Sequence, residues 1–134
     1  MSPDARVTAF LHVKIDVEDL DRSLAFYSGK LGMRQIVRYE QKDGVTIVQV
    51  SPTGQPPGIE LWHEPPHPSS GTDRIHIAIA VHRLRDLLED LRRGGVNIVT
   101  EPFAIGQEVI AFLRDPDGHL IELNESPSHE PRRS

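Results

Sequence analysis

Two short stretches, Leu11-His12-Val13-Lys14-Ile15-Asp16-Val17 and Ile75-His76-Ile77-Ala78-Ile79-Ala80-Val81, constrain the fold more than any other feature of this chain. In both, an apolar residue stands at every odd number, His takes the second place, and a Leu-bearing helical pattern follows. Strict alternation predicts a half-buried strand. Its recurrence about halfway along 134 residues predicts an internal duplication.

The flanking sequence repeats in the same order. Ala9 to Val17 reads as a strand, Glu18-Asp19 supplies an N-cap, and a helix runs to about Gly29, with Leu20, Leu24, Tyr27 and Leu31 on one face and Gly32 as its end. Arg34 to Gln41 and Val45 to Val50 read as strands joined at Asp43-Gly44, a hairpin signal. Ser51 to Pro57 is a loop, and Gly58 to His63 a fourth strand with Ile59 and Leu61 opposite Glu60 and Trp62. After a Pro, His, Ser and Gly stretch from Glu64 to Thr72, Ile75 to Val81 is again a strand. Leu84, Leu87, Leu88 and Leu91 mark a helix face closed by Gly94-Gly95. Val96 to Thr100 and Glu108 to Arg114 read as strands around a loop holding Pro102 and Gly106, and the type I turn sequence Asp115-Pro116-Asp117-Gly118 leads into a strand from Leu120 to Asn124. The expected organisation is α+β, one domain over 1–134 made of two βαβββ modules, about 7–64 and 74–125, with a linker at 65–73 and a disordered tail at 126–134.

Composition narrows the chemistry. Seven His and no Cys leave imidazole and carboxylate as the only side chains for a metal site and exclude disulfides and thiolate nucleophiles. A net charge of −5 without a Lys/Arg cluster argues against nucleic acid and anionic membranes. No apolar run approaches the roughly 18 residues of a membrane span. The start Met1-Ser2-Pro3-Asp4 has neither a basic nor an apolar leader region, so a cytoplasmic location is expected.

Residues of one parity share a face of a strand. With 11, 13, 15 and 17 turned to the helix, His12, Lys14 and Asp16 lie on the other side, as do His76, Glu60 and Glu122, because Ile59, Leu61, Ile121 and Leu123 take the helix side. A lone His or Glu at such a place is more often a hydrogen-bonded or exposed residue than a ligand. Here each module puts one His on its first strand and one Glu on its last, and two neutral imidazoles with two carboxylates make a plausible N2O2 set for Zn, Ni, Fe(II), Co or Mn. His63, His67, His82, His119 and His129 are read as ordinary surface, turn or core residues, with His63 and His67 kept as rim candidates. Lys14, Asp16 and Trp62 share the cleft side and are expected to touch a substrate, although Trp62 could equally pack against a partner subunit.

These residues resemble the vicinal oxygen chelate superfamily, which includes glyoxalase I, bleomycin-resistance proteins and extradiol dioxygenases. The likeness is carried by His12 to Leu20 with Ser23, Phe26-Tyr27 and Leu31-Gly32, by Gly58-Ile-Glu60-Leu61, by His76 to Val81, and by Asp115-Pro-Asp-Gly-His-Leu-Ile-Glu122. The resemblance implies paired βαβββ modules in a cupped, incompletely closed eight-stranded barrel around a metal, and a homodimer in which a site can draw ligands from both chains. The ligand set His12, Glu60, His76 and Glu122 is similar to that of glyoxalase I, in which the ion binds vicinal substrate oxygens and a ligand carboxylate moves a proton. By that likeness Glu122 is the base, with Glu60 second. Where short bacterial glyoxalases look as though they carry an Arg and an Asn to hold glutathione, this chain has Asp16 and Glu64. Two acids repel a tripeptide with two carboxylates, which argues against glutathione.

Three functions are thereby set against one another. A metal-dependent lyase or isomerase acting on a small substrate with vicinal oxygens stands first. An extradiol-type Fe(II) dioxygenase needs only His12, His76 and Glu122, and Glu60 would block a place required by catechol or oxygen. A drug-binding resistance protein without catalysis has no need of the four ligands.

Overall fold

The computed structural model describes residues 9–65, 71–72 and 75–127. Two compact units, Met1–Ser69 and Ser70–Ser134, divide the chain. The first contains strand β1 (His12–Asp16), helix α1 (Leu20–Leu24) continued by a π-helical segment (Ala25–Lys30), and strands β2 (Arg34–Glu40), β3 (Thr46–Ser51) and β4 (Gly58–His63). The second contains β5 (His76–Ala80), α2 (Leu84–Arg93), β6 (Asn97–Ile105), β7 (Glu108–Arg114) and β8 (Leu120–Glu125). The fold class is α+β, and each unit is a βαβββ module.

Strand pairing is the same in both. The sheets have the orders β1-β4-β3-β2 and β5-β8-β7-β6, so the first and last strands of each module are neighbours and run parallel. The remaining pairs are antiparallel. The alternation of β1 and β5 thus acts as expected, with Ile15 and Val17 buried and His12, Lys14 and Asp16 exposed. In the first module Tyr27, Val48, Val50 and Leu61 are fully enclosed; in the second Leu84, Leu113, Ile121 and Leu123 are. Each such side chain contributes about 1.5–3 kcal/mol by leaving water.

The first helix departs from the 3.6-residue pattern. Asp19 is its N-cap, accepting from Arg22 N at 3.1 Å, but from Ala25 the turns widen, and Leu31 N donates to Phe26 O, five residues back, at 3.0 Å. The wider turn rotates Phe26 into the core beside Tyr27, their rings meeting edge-on at 4.9 Å, and leaves Leu24 and Leu31 only half-buried. A constant helical period therefore misplaces Leu31 and overlooks Phe26.

The stretch read as a loop around Pro102 belongs instead to β6, which runs from Asn97 to Ile105. Its register against β7 shifts between Ile98 and Thr100 and again between Thr100 and Phe103. Pro102 falls inside the second shift, on the sheet's outer strand, where its missing N–H breaks no ladder bond. The expected strands Ala9–Val17 and Ile75–Val81 are shorter at both ends, because paired backbone begins at His12 opposite Gly58 and at His76 opposite Leu120. Most of the expected linker and tail, including His67 and His129, lies outside the described residues.

Turn chemistry is as the sequence indicates at 115–118. Gly118 N donates to Asp115 O at 3.0 Å, Gly118 has φ +90°, and the buried Asp115 Oδ1 accepts from Asp117 N at 2.9 Å and His119 N at 2.8 Å. Asp115→Ala removes both acceptor contacts at the entrance to β8. We expect a loss of about 2–3 kcal/mol in unfolding free energy, read from urea denaturation midpoints at unchanged m-value. The start of α2 has an unpredicted cap. Its N-cap residue Arg83 is left-handed at φ 56° and makes no side-chain cap, while the Glu125 carboxylate accepts from Leu84 N at 2.5 Å. At the other end of α2, Arg92 pairs with Glu101 at 2.7 and 2.8 Å, a contact that raises the guanidinium pKa further. No helix among the described residues is long and apolar enough to cross a membrane.

Candidate functional site

In the first module, parallel register sets Lys14 opposite Glu60, His12 opposite Gly58 and Asp16 opposite Trp62. Side chains of even number on β1 and β4 therefore emerge together on the face away from the helix. His12 Nε2 lies 3.4 Å from Glu60 Oε2, the same oxygen that accepts from Gln49 Nε2 at 2.7 Å. Gln49 stands directly opposite Glu60 across the antiparallel β3–β4 pair. Beside them Lys14 Nζ lies 2.6 Å from Asp16 Oδ1 and 5.3 Å from the centroid of the Trp62 ring. The three residues expected to form the substrate pocket thus share one face of the first sheet.

Close approach of the strands there depends on Gly58. A Cβ at that position would lie 2.4 Å from Val50 O and 3.2 Å from Ser51 Cβ, so any larger residue would push β4 from β3 immediately before Glu60.

The second module repeats the pair with different neighbours. Ala78 lies opposite Glu122 and His76 opposite Leu120, the same offset as before. His76 Nε2 is 3.1 Å from Glu122 Oε1, and Glu122 Oε2 accepts from Asn124 Nδ2 at 2.9 Å. Phe112, opposite Glu122 on β7, meets the His76 ring edge-on at 5.3 Å and stacks on Phe103 at 6.3 Å. Where the first sheet carries Lys14 and Asp16, the second carries only the methyl groups of Ala78 and Ala80.

The donor atoms suit a metal. With bonds of about 2.0–2.2 Å, two donors on one ion stand roughly 3.0–3.5 Å apart, and both His–Glu contacts fall in that interval. The carboxylates are nearly enclosed, with side chains 11% and 13% exposed, whereas the imidazoles are 34% and 41% exposed and so reachable from solvent. Among the described residues no group of three or more His, Cys, Asp or Glu side chains that could hold a metal ion comes together; the His and Glu side chains meet in pairs.

Among the other His residues, His63 is half-buried with Nδ1 3.3 Å from Val17 O, and it lines an open cleft of about 510 Å³ with Arg38, Thr46, Asp19 and Arg22 on the helix side of the first sheet. His82 is exposed, and His119 holds the turn through its backbone N. Sequence reading overlooked Gln49, Phe112 and Asn124. Asn124 has the parity of Glu122 two residues earlier and was legible on that ground, whereas Gln49 and Phe112 need the register across β3–β4 and β7–β8.

A family model of the Glyoxalase/Bleomycin resistance protein/Dioxygenase superfamily matches residues 9–123. The chain belongs to this superfamily and, within it, to the glyoxalase-like enzymes of the lyase and isomerase class. It is 36% identical over 124 residues to the lactoylglutathione lyase of Salmonella typhimurium, covering 87% of this chain and 91% of that one. With the lactoylglutathione lyase of Escherichia coli O157:H7 the identity is 37% over 123 residues, covering 86% and 90%. Among solved structures, the trypanothione-dependent glyoxalase I of Leishmania major superposes with a TM-score of 0.77 at 33% identity, covering 91% of this chain and 89% of its own.

Proposed function

We propose that this enzyme is a divalent-metal-dependent glyoxalase-type lyase or isomerase in which His12, Glu60, His76 and Glu122 hold the ion. The observation that carries this reading is the repetition of one His–Glu contact at one register offset in both modules. Duplication alone would place the pair twice, but the neighbouring positions have since diverged, Lys14 and Asp16 in one module against Ala78 and Ala80 in the other, while the His–Glu pair is kept in both. Since the donors meet in pairs, each module supplies half of the set.

A bound Ni, Zn, Mn, Co or Fe(II) ion would supply Lewis acidity toward two neighbouring oxygens of a small substrate. Glu122, with Glu60 as second candidate, takes the proton from the carbon beside the substrate carbonyl and returns it to the adjacent atom. Lys14, Asp16 and Trp62 contact the rest of the substrate from the first sheet. The two bacterial relatives are named for lactoylglutathione. Asp16, paired with Lys14, and the exposed Glu64 stand where the resemblance would put an Arg and an Asn, and neither acid can anchor a glutathione carboxylate, so we propose a carrier other than glutathione.

Elemental analysis of protein purified without added metal is expected to find a divalent ion. The loaded enzyme is then assayed with hemithioacetals of methylglyoxal made from glutathione and from other small thiols, and with catechol and oxygen. Turnover of a hemithioacetal other than glutathione's is the expected result. An absence of bound ion with no gain on adding Ni, Zn, Mn or Fe(II) overturns the proposal, and turnover of catechol replaces it with a dioxygenase.

A further inference from the structure

Each of the two carboxylates accepts one hydrogen bond from a neutral side-chain amide, Glu60 from Gln49 at 2.7 Å and Glu122 from Asn124 at 2.9 Å. The two amides do not occupy matching places. Gln49 lies across the strand pair from Glu60, and the matching place in the second module is Phe112. Asn124 lies two residues along the strand from Glu122, and the matching place in the first module is Trp62. Duplication copies a residue into matching positions, so a common ancestor module does not explain the recurrence. The same contact was reached twice by different routes, which is the mark of a requirement on the carboxylate itself.

Asn124 also carries a cost that a packing residue would not. It is 9% exposed, and its Oδ1 is buried without a hydrogen-bond partner among the described residues. An orphaned buried acceptor destabilises the fold, because it gives up its hydrogen bonds to water and gains none in return. Turning the amide over gives no relief, since Oδ1 would then face the Glu122 carboxylate, which only accepts. At this position between Ala80 and Ile110 an apolar side chain would fill the space without the orphan. What Asn124 supplies that an apolar residue would not is its N–H to Glu122 Oε2.

We propose that Gln49 and Asn124 are positioning residues of the metal ligands, each fixing one glutamate through a single carboxylate oxygen. At Glu122 the assignment of atoms is direct: Asn124 holds Oε2, and Oε1 is left beside His76 Nε2 to face an ion. At Glu60 the amide and the imidazole approach the same oxygen, so Gln49 sets how near Oε2 stands to His12. A carboxylate so tied cannot swing away, and an ion meets it already oriented. This inference rests on the metal reading given above.

The test titrates Co(II) into the metal-free, full-length protein and compares Asn124→Leu and Gln49→Met with His76→Ala. Both amide variants are expected to bind Co(II) about 10–100-fold more weakly and with an altered visible absorption spectrum. The thermal midpoint of metal-free Gln49→Met should stay unchanged and that of Asn124→Leu should hold or rise, because its orphan acceptor is gone. If His76→Ala loses Co(II) while both amide variants bind within about twofold of wild type, this inference is overturned and the metal site stands. If wild type takes up no Co(II), both fall together. A drop in thermal midpoint large enough to account for the weaker binding would give the amides a structural role and overturn the inference as well.

Discussion

His76→Ala is expected to weaken divalent-metal binding by more than about 100-fold, because loss of a residue that merely orients a ligand already costs 10–100-fold. The substitution removes one of the two nitrogen donors proposed for the ion and leaves Glu122 Oε1 without the imidazole that stands 3.1 Å from it. His76 is exposed on an edge strand, its ring touching Phe112 edge-on, so truncation opens no enclosed cavity. Stability of the metal-free protein should therefore change little. Calorimetric titration of the apo form measures the first effect and thermal unfolding the second. Unaltered affinity would remove the second module from the site. A matched His12→Ala variant should behave alike, since its imidazole makes the corresponding contact at 3.4 Å.

Glu122→Gln carries the second large effect. The change keeps the side chain's shape, removes its ability to accept a proton, and sets an amide against the Asn124 amide. A positioned general base contributes typically 10²–10⁴-fold to rate. We expect kcat on the productive hemithioacetal to fall by at least about 100-fold, with metal still bound though less tightly. Glu60→Gln should cost less in kcat, because Glu60 is the second candidate for proton transfer. Steady-state rates at saturating metal separate the two. A larger loss in Glu60→Gln than in Glu122→Gln would exchange the roles of the two carboxylates.

The parts of this molecule visible in its sequence are those set by short periods. Alternation in β1 and β5 sorts core from site face because a strand repeats every two residues, and the Leu84, Leu88 and Leu91 stripe does the same for α2. The Asp115 turn was legible because Pro and Gly enforce their own dihedral angles. The π-helical widening at Ala25–Lys30 escaped because it changes the period within a helix. Pro102 misled because a strand tolerates proline where its register slips, and a slip leaves no local signal. The His–Glu pairs followed from parity once the duplication was seen. Gln49 stayed hidden because finding a partner across a sheet requires the register.

The parallel pairing of β1 with β4 and of β5 with β8 also bears on the order in which the molecule can form. The β3–β4 hairpin closes across the short loop from Ser51 to Gly58, whereas β1 must bridge about 40 residues to reach β4. Closing the longer loop costs roughly 2 kcal/mol more in chain entropy, and such non-local contacts assemble late. His12 and His76 ride on these late-arriving strands, while Glu60 and Glu122 sit in the meanders already in place. Each His–Glu contact is thus the seal on its module, made only when the topology is complete. Under the metal reading proposed above, a nascent or partly unravelled chain would present the carboxylates without their imidazoles and so only half of each donor pair.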